Sequence, residues 1–326
     1  MELIITEMAT VEDFKKEWEN RLPYITAHTS GSTGTPKEIR LLKSDMLRSA
    51  EATVRRFDIS RDSVLGLPLS VDYIAGKMMC VRAWISGAEL VEMPVSNRLV
   101  TDRRYDLLAI VPSQIDSLID SDVSPELCGN IIIGGAALDD NRRRALIERG
   151  FNAYQTYGMT ETCSHVALLE ISDESMVYRA MPGISFETDS RGCLVIIAPA
   201  FSFSRLVTND IVDLVDGSSF KWLGRHDNVI NSGGIKIAAE QLETEIAPYI
   251  GCAFYVTDVP DDKWGAVPVV VAACSQGECD CMLARLKANI DHRRCPKKIV
   301  AVNQLDYTAN GKIIRKKISE IISRIC

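Results

Sequence analysis

The sequence has no apolar run long enough to span a membrane and no excess of basic residues. Its longest apolar stretches, such as residues 193–201, fall well short of the ~20 residues that a spanning helix needs. The first residues show no basic segment followed by a long apolar core, which predicts no secretory signal. With 37 basic and 44 acidic residues the net charge is −7, and a mildly acidic chain is a poor candidate for general nucleic-acid binding. We therefore expect a cytoplasmic protein without a membrane span that does not bind nucleic acid.

The ten cysteines lack the paired spacing of a structural zinc site. Cys279 and Cys281 are the one tight pair, and no second pair or histidine follows at zinc spacing. Scattered thiols are typical of a cytosolic protein, in which cysteines stay reduced. We expect buried or reduced thiols, with metal binding or disulfide formation as the alternative.

The apolar pattern predicts an α/β fold. At 326 residues the chain has the length of about two domains. Short apolar runs that end in Pro or Gly predict buried strands at residues 107–112, 131–133 and 194–198. Apolar residues at helical spacing from Leu47 to Phe57 predict a helix that Ser44 would cap. Helices that alternate with buried strands are typical of an α/β domain.

A polar loop at residues 224–234 separates this pattern from a smaller one. Just before the loop, Asp216-Gly217 stands between two strand-like runs and predicts a hairpin. Beyond it, the spacing predicts a helix at Leu242 and Ile246, strands at 254–257, 267–272 and 299–302, and helices at 283–290 and 314–325. We therefore predict a large layered α/β domain over residues 1–226 and a small, mobile α+β domain over residues 227–326.

One loop combines hydroxyl side chains, two glycines and a lysine in nine residues, Thr29-Ser30-Gly31-Ser32-Thr33-Gly34-Thr35-Pro36-Lys37. Glycines let backbone N–H groups approach an anion closely, and the hydroxyls and Lys37 add donors and a positive charge. The glycine spacing differs from that of a P-loop. We interpret the segment as a phosphate-binding loop, although a flexible linker has a similar composition.

Three further segments carry side chains that suit a nucleotide. In Tyr157-Gly158-Met159-Thr160-Glu161-Thr162 a carboxylate between hydroxyls suits Mg²⁺ held against phosphates. Asp210 could bind both hydroxyls of a ribose, and Arg225 a hydroxyl or a phosphate. Lys312 follows the Asn310-Gly311 turn. The ordinary alternatives are a capped helix start, a surface ion pair and a solvated charge.

These segments stand in the order of motifs that resemble the adenylate-forming acyl- and aryl-CoA synthetase superfamily. The motifs are Thr29–Lys37 for TSGSTGTPK, Gly134-Gly135-Ala136 for GGA, Tyr157–Thr162 for YGxTE, Thr208-Asn209-Asp210 for TGD, Gly224-Arg225-His226-Asp227 with Gly233–Ile237 for GRxD and GGxKI, and Asn310–Arg315 for NGKxxR. Asn209 replaces the usual Gly of TGD. Within the superfamily, residues 157–164 and 67–79 most resemble the o-succinylbenzoate–CoA ligase family of menaquinone biosynthesis.

The resemblance implies an ATP-dependent acid–CoA ligase. A substrate carboxylate would attack the α-phosphate of ATP and release pyrophosphate, and the thiol of coenzyme A would then attack the acyl-adenylate and release AMP. Neither step needs a protein nucleophile, and the sequence has no Gly-x-Ser-x-Gly elbow or Cys/His dyad signature. The implied ligands are ATP with Mg²⁺, coenzyme A and a small aromatic carboxylic acid, in the most specific case o-succinylbenzoate.

The resemblance also implies roles in the large domain. The pyrophosphate end of ATP would be held by Thr29, Ser30, Gly31, Ser32, Thr33, Gly34 and Lys37. The adenine would be framed by Gly134, Gly135, Ala136, Tyr157 and Gly158. Thr160 would contact the α-phosphate, and Glu161 would be the metal ligand for Mg²⁺.

Four further roles follow from the same resemblance. Asp210 and Arg225 would bind the ribose, and Lys312 would be the catalytic lysine that bridges the substrate carboxylate and the α-phosphate. Gly233-Gly234 would line the path of the pantetheine arm, where a side chain would block its approach. Asp227 would be the pivot of the small domain.

The sequence departs from the superfamily around the acid pocket. Only 28 residues precede Thr29, where members usually have a much longer segment, so we expect a shortened large domain that lacks part of the pocket wall. Tyr73 stands where a His usually precedes the motif that includes Gly76. The second carboxylate of o-succinylbenzoate needs a donor, and Lys77 and His165 are candidates; a surface or structural role is the alternative for both.

Two other functions stay open. A benzoate-type CoA ligase or a stand-alone adenylation domain would share all six motifs and differ only in the pocket. A non-catalytic adenylate-binding protein would need neither Lys312 nor Glu161, and the retention of both argues against it.

Overall fold

The structure is a computed structural model that describes residues 9–28, 38–99, 101–121, 123–174, 176–307 and 313–316, with Ile318 and Ile321. Two compact units divide the chain. The first comprises Met1–Phe186, Ile196–Leu206 and Asp216–Ser219, and the second comprises Glu187–Val195, Val207–Val215 and Phe220–Cys326. Whether the functional boundary lies at residue 227 stays a prediction.

The first unit begins with helix α1 and a two-stranded antiparallel ribbon, and it continues with alternating strands and helices. Its helices are α1 (Val11–Glu19), α2 (Lys43–Arg56), α3 (Ile74–Ser86), α4 (Pro112–Asp120) and α5 (Asp140–Glu148). Its strands are β1 (Tyr24–His28), β2 (Glu38–Leu42), β3 (Val64–Leu67), β4 (Glu89–Glu92), β5 (Leu107–Ile110), β6 (Ile131–Ile133), β7 (Ala153–Gly158), β8 (His165–Glu170) and β9 (Tyr178–Ala180). The alternation confirms the predicted α/β class.

The main sheet of this unit is parallel at its centre. Its strands hydrogen-bond in the order β9-β8-β7-β6-β5-β3-β4, with β4, β3, β5, β6 and β7 parallel and β8 and β9 antiparallel to their neighbours. Every residue of β5 and β6 is buried, because strands of a parallel sheet are covered on both faces. The helices supply that cover, and α3 is itself buried along most of its length.

Four strands follow in chain order and pair with one another: β10 (Ser185–Thr188), β11 (Cys193–Ile197), β12 (Arg205–Asp216) and β13 (Ser219–Arg225). The turn between β12 and β13 is the predicted Asp216-Gly217 hairpin. The second unit then adds β14 (Val229–Ser232), β15 (Ile235–Ala238), α6 (Ala239–Ile246), β16 (Phe254–Asp261), β17 (Gly265–Ala273), α7 (Gln276–Asn289) and β18 (Ile299–Val302). These strands form a second sheet in the order β15-β14-β17-β16, with β18 parallel to β17.

Apolar clusters lie on both faces of this second sheet. The larger contains Leu242, Val256, Val270 and Leu286; the smaller contains Tyr255, Val269, Val271 and Ile318. Successive residues of β17 alternate between the two clusters, as the two-residue period of a strand requires. The predicted α+β composition of this part of the chain is therefore confirmed.

Two local predictions differ from the structure. Helix α2 begins at Lys43, and its N-cap is Leu42 without a side-chain hydrogen bond, so Ser44 is not the cap. Strand β2 ends at Leu42 and the helix begins at the next residue. Lys43 N donates to the Pro23 carbonyl at 2.9 Å, which fixes this junction. Ile314, predicted to open the last helix, lies outside a helix, while Ile318 and Ile321 are helical.

No helix among the described residues has the length and apolar character needed to cross a membrane.

Candidate functional site

Three of the predicted segments leave the main sheet of the first unit at one edge. Residues 68–73 follow β3, residues 134–136 follow β6, and residues 159–164 follow β7. Because these strands are parallel, their carboxyl ends lie together, and open α/β sheets bind ligands at that edge. The pairing of Ile133 with Gln155 makes the last two segments neighbours.

The Gly134-Gly135 segment exposes backbone rather than side chains beside the end of β7. Gly134 N donates to the Ile110 carbonyl at 3.0 Å, and a Cβ at Gly134 would lie 3.0 Å from Thr156 Oγ1. Gly135 has a φ of +91°, in the region that favours glycine. Because the two glycines have no side chains, a flat ring could lie against this backbone. Tyr157, on β7, packs edge-on against Tyr178 at 5.8 Å between ring centroids.

A tight turn carries Thr160 and Glu161. A Cβ at Gly158 would lie 2.3 Å from the Ser164 carbonyl oxygen, so only glycine fits there. The buried Thr162 hydroxyl accepts from Met159 N at 3.0 Å and lies 2.7 Å from the Ser164 carbonyl. Cys163 has a φ of +62°, a conformation that a side chain tolerates only where neighbours enforce it. The turn is therefore held rigidly from both ends.

The turn leaves Thr160 half-buried and Glu161 exposed. Among the described residues, the Glu161 carboxylate has no hydrogen bond or ion pair. Mg²⁺ is usually bound through one or two carboxylates together with substrate phosphates. An exposed, uncommitted carboxylate beside a hydroxyl fits that requirement, and no group of three His, Cys, Asp or Glu residues in the described ranges could hold a metal by itself.

The two predicted donors of the acid pocket, Lys77 and His165, are engaged in other contacts. Lys77 Nζ pairs with Glu17 Oε2 at 2.9 Å and lies 4.3 Å from the centroid of the Phe14 ring, and its side chain is buried. Gly76 is required by packing, because a Cβ there would lie 2.3 Å from the Ser70 carbonyl oxygen. Tyr73 is the half-buried N-cap residue of α3.

His165 is buried and neutral. Burial first, and then the positive charge of Arg82, lower the pKa of His165 well below its usual value of 6.5. Its Nε2 lies 3.2 Å from Thr53 Oγ1, whose hydroxyl can donate to the Ser49 carbonyl at 3.1 Å. Nε2 then carries the proton, and Nδ1 accepts from Ser164 Oγ at 3.4 Å.

Arg82 is a candidate that the sequence analysis missed. The whole residue is 2 % exposed; its Nη2 donates to Ser164 Oγ at 2.6 Å, and its Nη1 lies 3.4 Å from Met79 Sδ. Its buried Nε–H has no hydrogen-bond partner among the described residues. Burial lowers the pKa of Arg82 from 12.5 to about 9, so it is charged at neutral pH. The signal in the sequence is a single arginine within the apolar run 78–83.

The second unit brings Asp210 and Arg225 together, and their contact with a ribose stays a prediction. Arg225 Nη1 lies 3.6 Å from Asp210 Oδ1, and Trp222 Nε1 donates to the same oxygen at 3.2 Å. Asp210 is 6 % exposed and its backbone N–H donates to Thr208 Oγ1 at 3.1 Å. Trp222, on the neighbouring strand β13, is a second residue that the motifs did not indicate.

Asn209 contacts the predicted pivot, which the usual glycine could not do. Its Nδ2 lies 3.4 Å from both carboxylate oxygens of Asp227, and its Oδ1 accepts from Arg191 Nη1 at 3.0 Å. Arg225 Nη2 also pairs with Asp227 Oδ2 at 3.0 Å. Asp227 is thus exposed but held by side chains from two directions.

Gly233-Gly234 forms the two-residue turn of the β14–β15 hairpin. Their φ values of +58° and +83° match a type I′ turn, which requires positive φ at both positions. A Cβ at Gly233 would lie 2.4 Å from Trp264 Cε3, so the exposed indole of Trp264 packs directly on this backbone.

The remaining predicted residues, Thr29, Ser30, Gly31, Ser32, Thr33, Gly34, Lys37 and Lys312, lie outside the described residues. Their roles stay predictions.

The sequence matches a known family over more than half of its length. The family profile described as AMP-binding enzyme matches residues 6–187. Among curated relatives, a 2-succinylbenzoate–CoA ligase of Staphylococcus epidermidis is 25 % identical over 322 residues, covering 89 % of this chain and 68 % of that protein.

Solved structures share the fold. An acyl-CoA synthetase (AMP-forming)/AMP-acid ligase II-like protein of Dyadobacter fermentans is 32 % identical with a TM-score of 0.62, covering 96 % of this chain and 93 % of that one. The o-succinylbenzoate CoA synthetase (MenE) of Bacillus subtilis with the acyl-adenylate intermediate OSB-AMP is 22 % identical with a TM-score of 0.76, covering 89 % and 67 %. The same enzyme with ATP and magnesium ion is also 22 % identical, with a TM-score of 0.75 and coverage of 90 % and 69 %. At 22 % identity, the similarity to the Bacillus subtilis enzyme shows a shared fold only.

Proposed function

Since this chain belongs to the AMP-binding enzyme family and is an AMP-forming acid–CoA ligase, we propose that its acid is o-succinylbenzoate, which it converts to o-succinylbenzoyl-CoA for menaquinone biosynthesis. The observation that carries the proposal is the buried, charged Arg82 beside Ser164, whose Nε–H has no hydrogen-bond partner in the described ranges. The curated 2-succinylbenzoate–CoA ligase relative supports the same substrate.

The substrate explains the cost of burying Arg82. A buried cation without a counter-ion is expensive, so such groups are normally paired. o-Succinylbenzoate carries two carboxylates: one is activated, and the other stays charged through both steps. Arg82 could hold that second carboxylate through Nε–H and one Nη–H, a bidentate geometry that arginine is suited to. Lys77 is already paired with Glu17, and the neutral His165 can only orient Ser164.

The reaction proceeds in two displacements. The succinyl carboxylate oxygen attacks the α-phosphorus of ATP, and the bond to pyrophosphate breaks. The thiol sulfur of coenzyme A then attacks the adenylate carbonyl, the bond to the AMP oxygen breaks, and the thiol proton is lost. Such chemistry depends on positioning and on stabilising charge, which the rigid turn at Gly158–Ser164 supplies.

Binding of ATP uses the backbone and the turn of the first unit. Gly134, Gly135 and Ala136 would take one face of the adenine beside Tyr157, and Thr160 would donate to an α-phosphate oxygen. Glu161 would hold Mg²⁺, which neutralises phosphate charge when bound. The loop Thr29–Lys37 would hold the pyrophosphate end.

The second unit would supply the ribose site and the second half-reaction. Asp210, held by Trp222, would accept hydrogen bonds from the ribose hydroxyls beside Arg225. Lys312 would neutralise the carboxylate and α-phosphate during adenylation. Gly233-Gly234 would then admit the pantetheine arm, after the small domain over residues 227–326 pivots at Asp227.

The test is a substrate screen with two assays on the full chain. Pyrophosphate exchange reports adenylation, and thioester formation with coenzyme A reports the complete reaction, with o-succinylbenzoate, benzoate, salicylate and hexanoate as acids. We expect o-succinylbenzoate to be preferred in both. Robust turnover of benzoate without turnover of o-succinylbenzoate would contradict the proposed substrate but not the ligase reaction. No pyrophosphate exchange with any acid would contradict the proposal that the chain is catalytic.

A further inference from the structure

Three thiols of the second unit lie close together, two of them in contact, and the proposed ligase reaction uses none of them. Cys252 precedes β16, Cys274 follows β17, and Cys279 lies in the first turns of α7. Cys274 Sγ is 3.4 Å from Cys279 Sγ, and Cys274 is close enough to raise the pKa of Cys252. The antiparallel register that pairs Phe254 with Ala272 continues outward and brings Cys252 opposite Cys274.

The cluster opens on one side into a surface cavity of about 410 Å³. Its walls include Cys252, Cys274, Cys281, Glu278 and Arg285. Cys279 is 2 % exposed and lies behind Cys274. A small molecule in the cavity can therefore contact Cys252, Cys274 or Cys281, and Cys274 is the thiol whose sulfur Cys279 touches from behind.

We propose that this cluster is a thiol–disulfide exchange site that takes a low-molecular-weight disulfide such as glutathione disulfide. Cys274 sulfur attacks one sulfur of that disulfide, the S–S bond breaks, and one glutathione leaves as a thiol. Cys279 sulfur then attacks the Cys274 sulfur of the mixed disulfide, and the second glutathione leaves. The protein loses two thiol hydrogens and gains one Cys274–Cys279 bond, and the glutathione disulfide is reduced to two thiols.

The geometry favours the second step. A disulfide has an S–S length near 2.05 Å, so the sulfurs must approach by somewhat more than an ångström from the observed 3.4 Å. Cys274 lies in the short segment after β17, and Ser275 caps α7 with a capping box to Glu278. The segment that must adjust is therefore short and exposed, while the β-sheet and the rest of α7 can stay in place.

Burial disfavours the thiolates of Cys252 and Cys279. Desolvation, followed by the Cys274 thiol, raises the pKa of Cys252 to about 11 and that of Cys279 to about 12. Since the thiolate is the attacking species, the second step, in which Cys279 attacks the mixed disulfide, is slow at neutral pH. All nine cysteines in the described part of the chain are free.

The experiment treats the full-length protein with excess glutathione disulfide, blocks the remaining thiols by alkylation and maps the products by mass spectrometry without reduction. Cleavage after Glu278 separates Cys274 from Cys279, so their disulfide joins two peptides. We expect that linked pair, together with the loss of one pair of alkylatable thiols. Cys279→Ser should instead accumulate a glutathione adduct on Cys274.

Cys281→Ser is the matched control, since it removes an exposed thiol of the same helix and should leave the Cys274–Cys279 link unchanged. A link between Cys252 and Cys274, or glutathione confined to Cys281 with Cys279 still alkylatable, would overturn the proposal. The wild-type map decides the matter even if Cys279→Ser fails to fold. Ligase activity plays no part in this readout, so the proposed function and the thiol site fail independently.

Discussion

Replacing Arg82 by methionine should separate recognition of the second carboxylate from the chemistry of activation. A carboxylate ~4 Å from the guanidinium gains ~4 kcal/mol at an effective dielectric constant of ~20. At ~1.4 kcal/mol per factor of ten, Arg82→Met should lower kcat/KM for o-succinylbenzoate by about three orders of magnitude. Benzoate has no second carboxylate, so its much lower turnover should change by less than about threefold.

The same substitution should raise the stability of the free protein. A pKa lowered from 12.5 to about 9 corresponds to a penalty of ~5 kcal/mol for holding the charge in the folded chain. Because the folded-state pKa is the lower one, the penalty applies in full below pH ~9 and fades only as the pH rises toward 12.5. Loss of the Ser164 hydrogen bond offsets part of the gain, at ~1–3 kcal/mol.

Thermal unfolding and steady-state kinetics on both acids test the two halves of this reasoning. Arg82→Lys is the matched control, because it keeps a charge but loses the bidentate fork, and it should retain part of the activity on o-succinylbenzoate. A lower melting temperature with equal losses on both acids would refute the reasoning and make Arg82 a structural residue.

Three further outcomes follow from the site. Lys312→Ala should slow adenylate formation by about a thousandfold, since ~4 kcal/mol of charge stabilisation is lost; thioester formation from added adenylate should stay within a few-fold, and equal losses would mark the lysine as structural. Asp227→Pro removes an N–H and fixes φ, so pyrophosphate exchange should survive while thioester formation is nearly abolished; near wild-type thioester synthesis would place the pivot elsewhere. Gly158→Ala puts a Cβ 2.3 Å from the Ser164 carbonyl oxygen, which should displace the turn and reduce both half-reactions. Amide hydrogen exchange in strands β14–β18 of the same protein should stay unchanged. Pyrophosphate exchange at the wild-type rate would show that the turn tolerates the substitution.

Glycines and turns were the most predictable part of the site, because their requirement is local. Asp216-Gly217 turns where the sequence predicts a hairpin, since a two-residue loop depends on adjacent residues only. Gly233-Gly234 ends the predicted loop 224–234, but strand β14 (Val229–Ser232) occupies the middle of that range. The order of motifs predicted the family, which the family match confirms. The cap of α2 was mispredicted, because β2 feeds the chain directly into Lys43 and leaves Ser44 inside the helix.

The sequence by itself determined the class of fold and the family, since apolar period and short motifs act within a few positions. Only the tertiary structure decided which distant side chains meet. Arg82 reaches Ser164 across 82 positions, and Lys77 is paired with Glu17 across 60. The role of a charged residue within an apolar segment can be inferred only when its counter-ion and its burial are known. Both depend on packing between elements that are far apart in the chain.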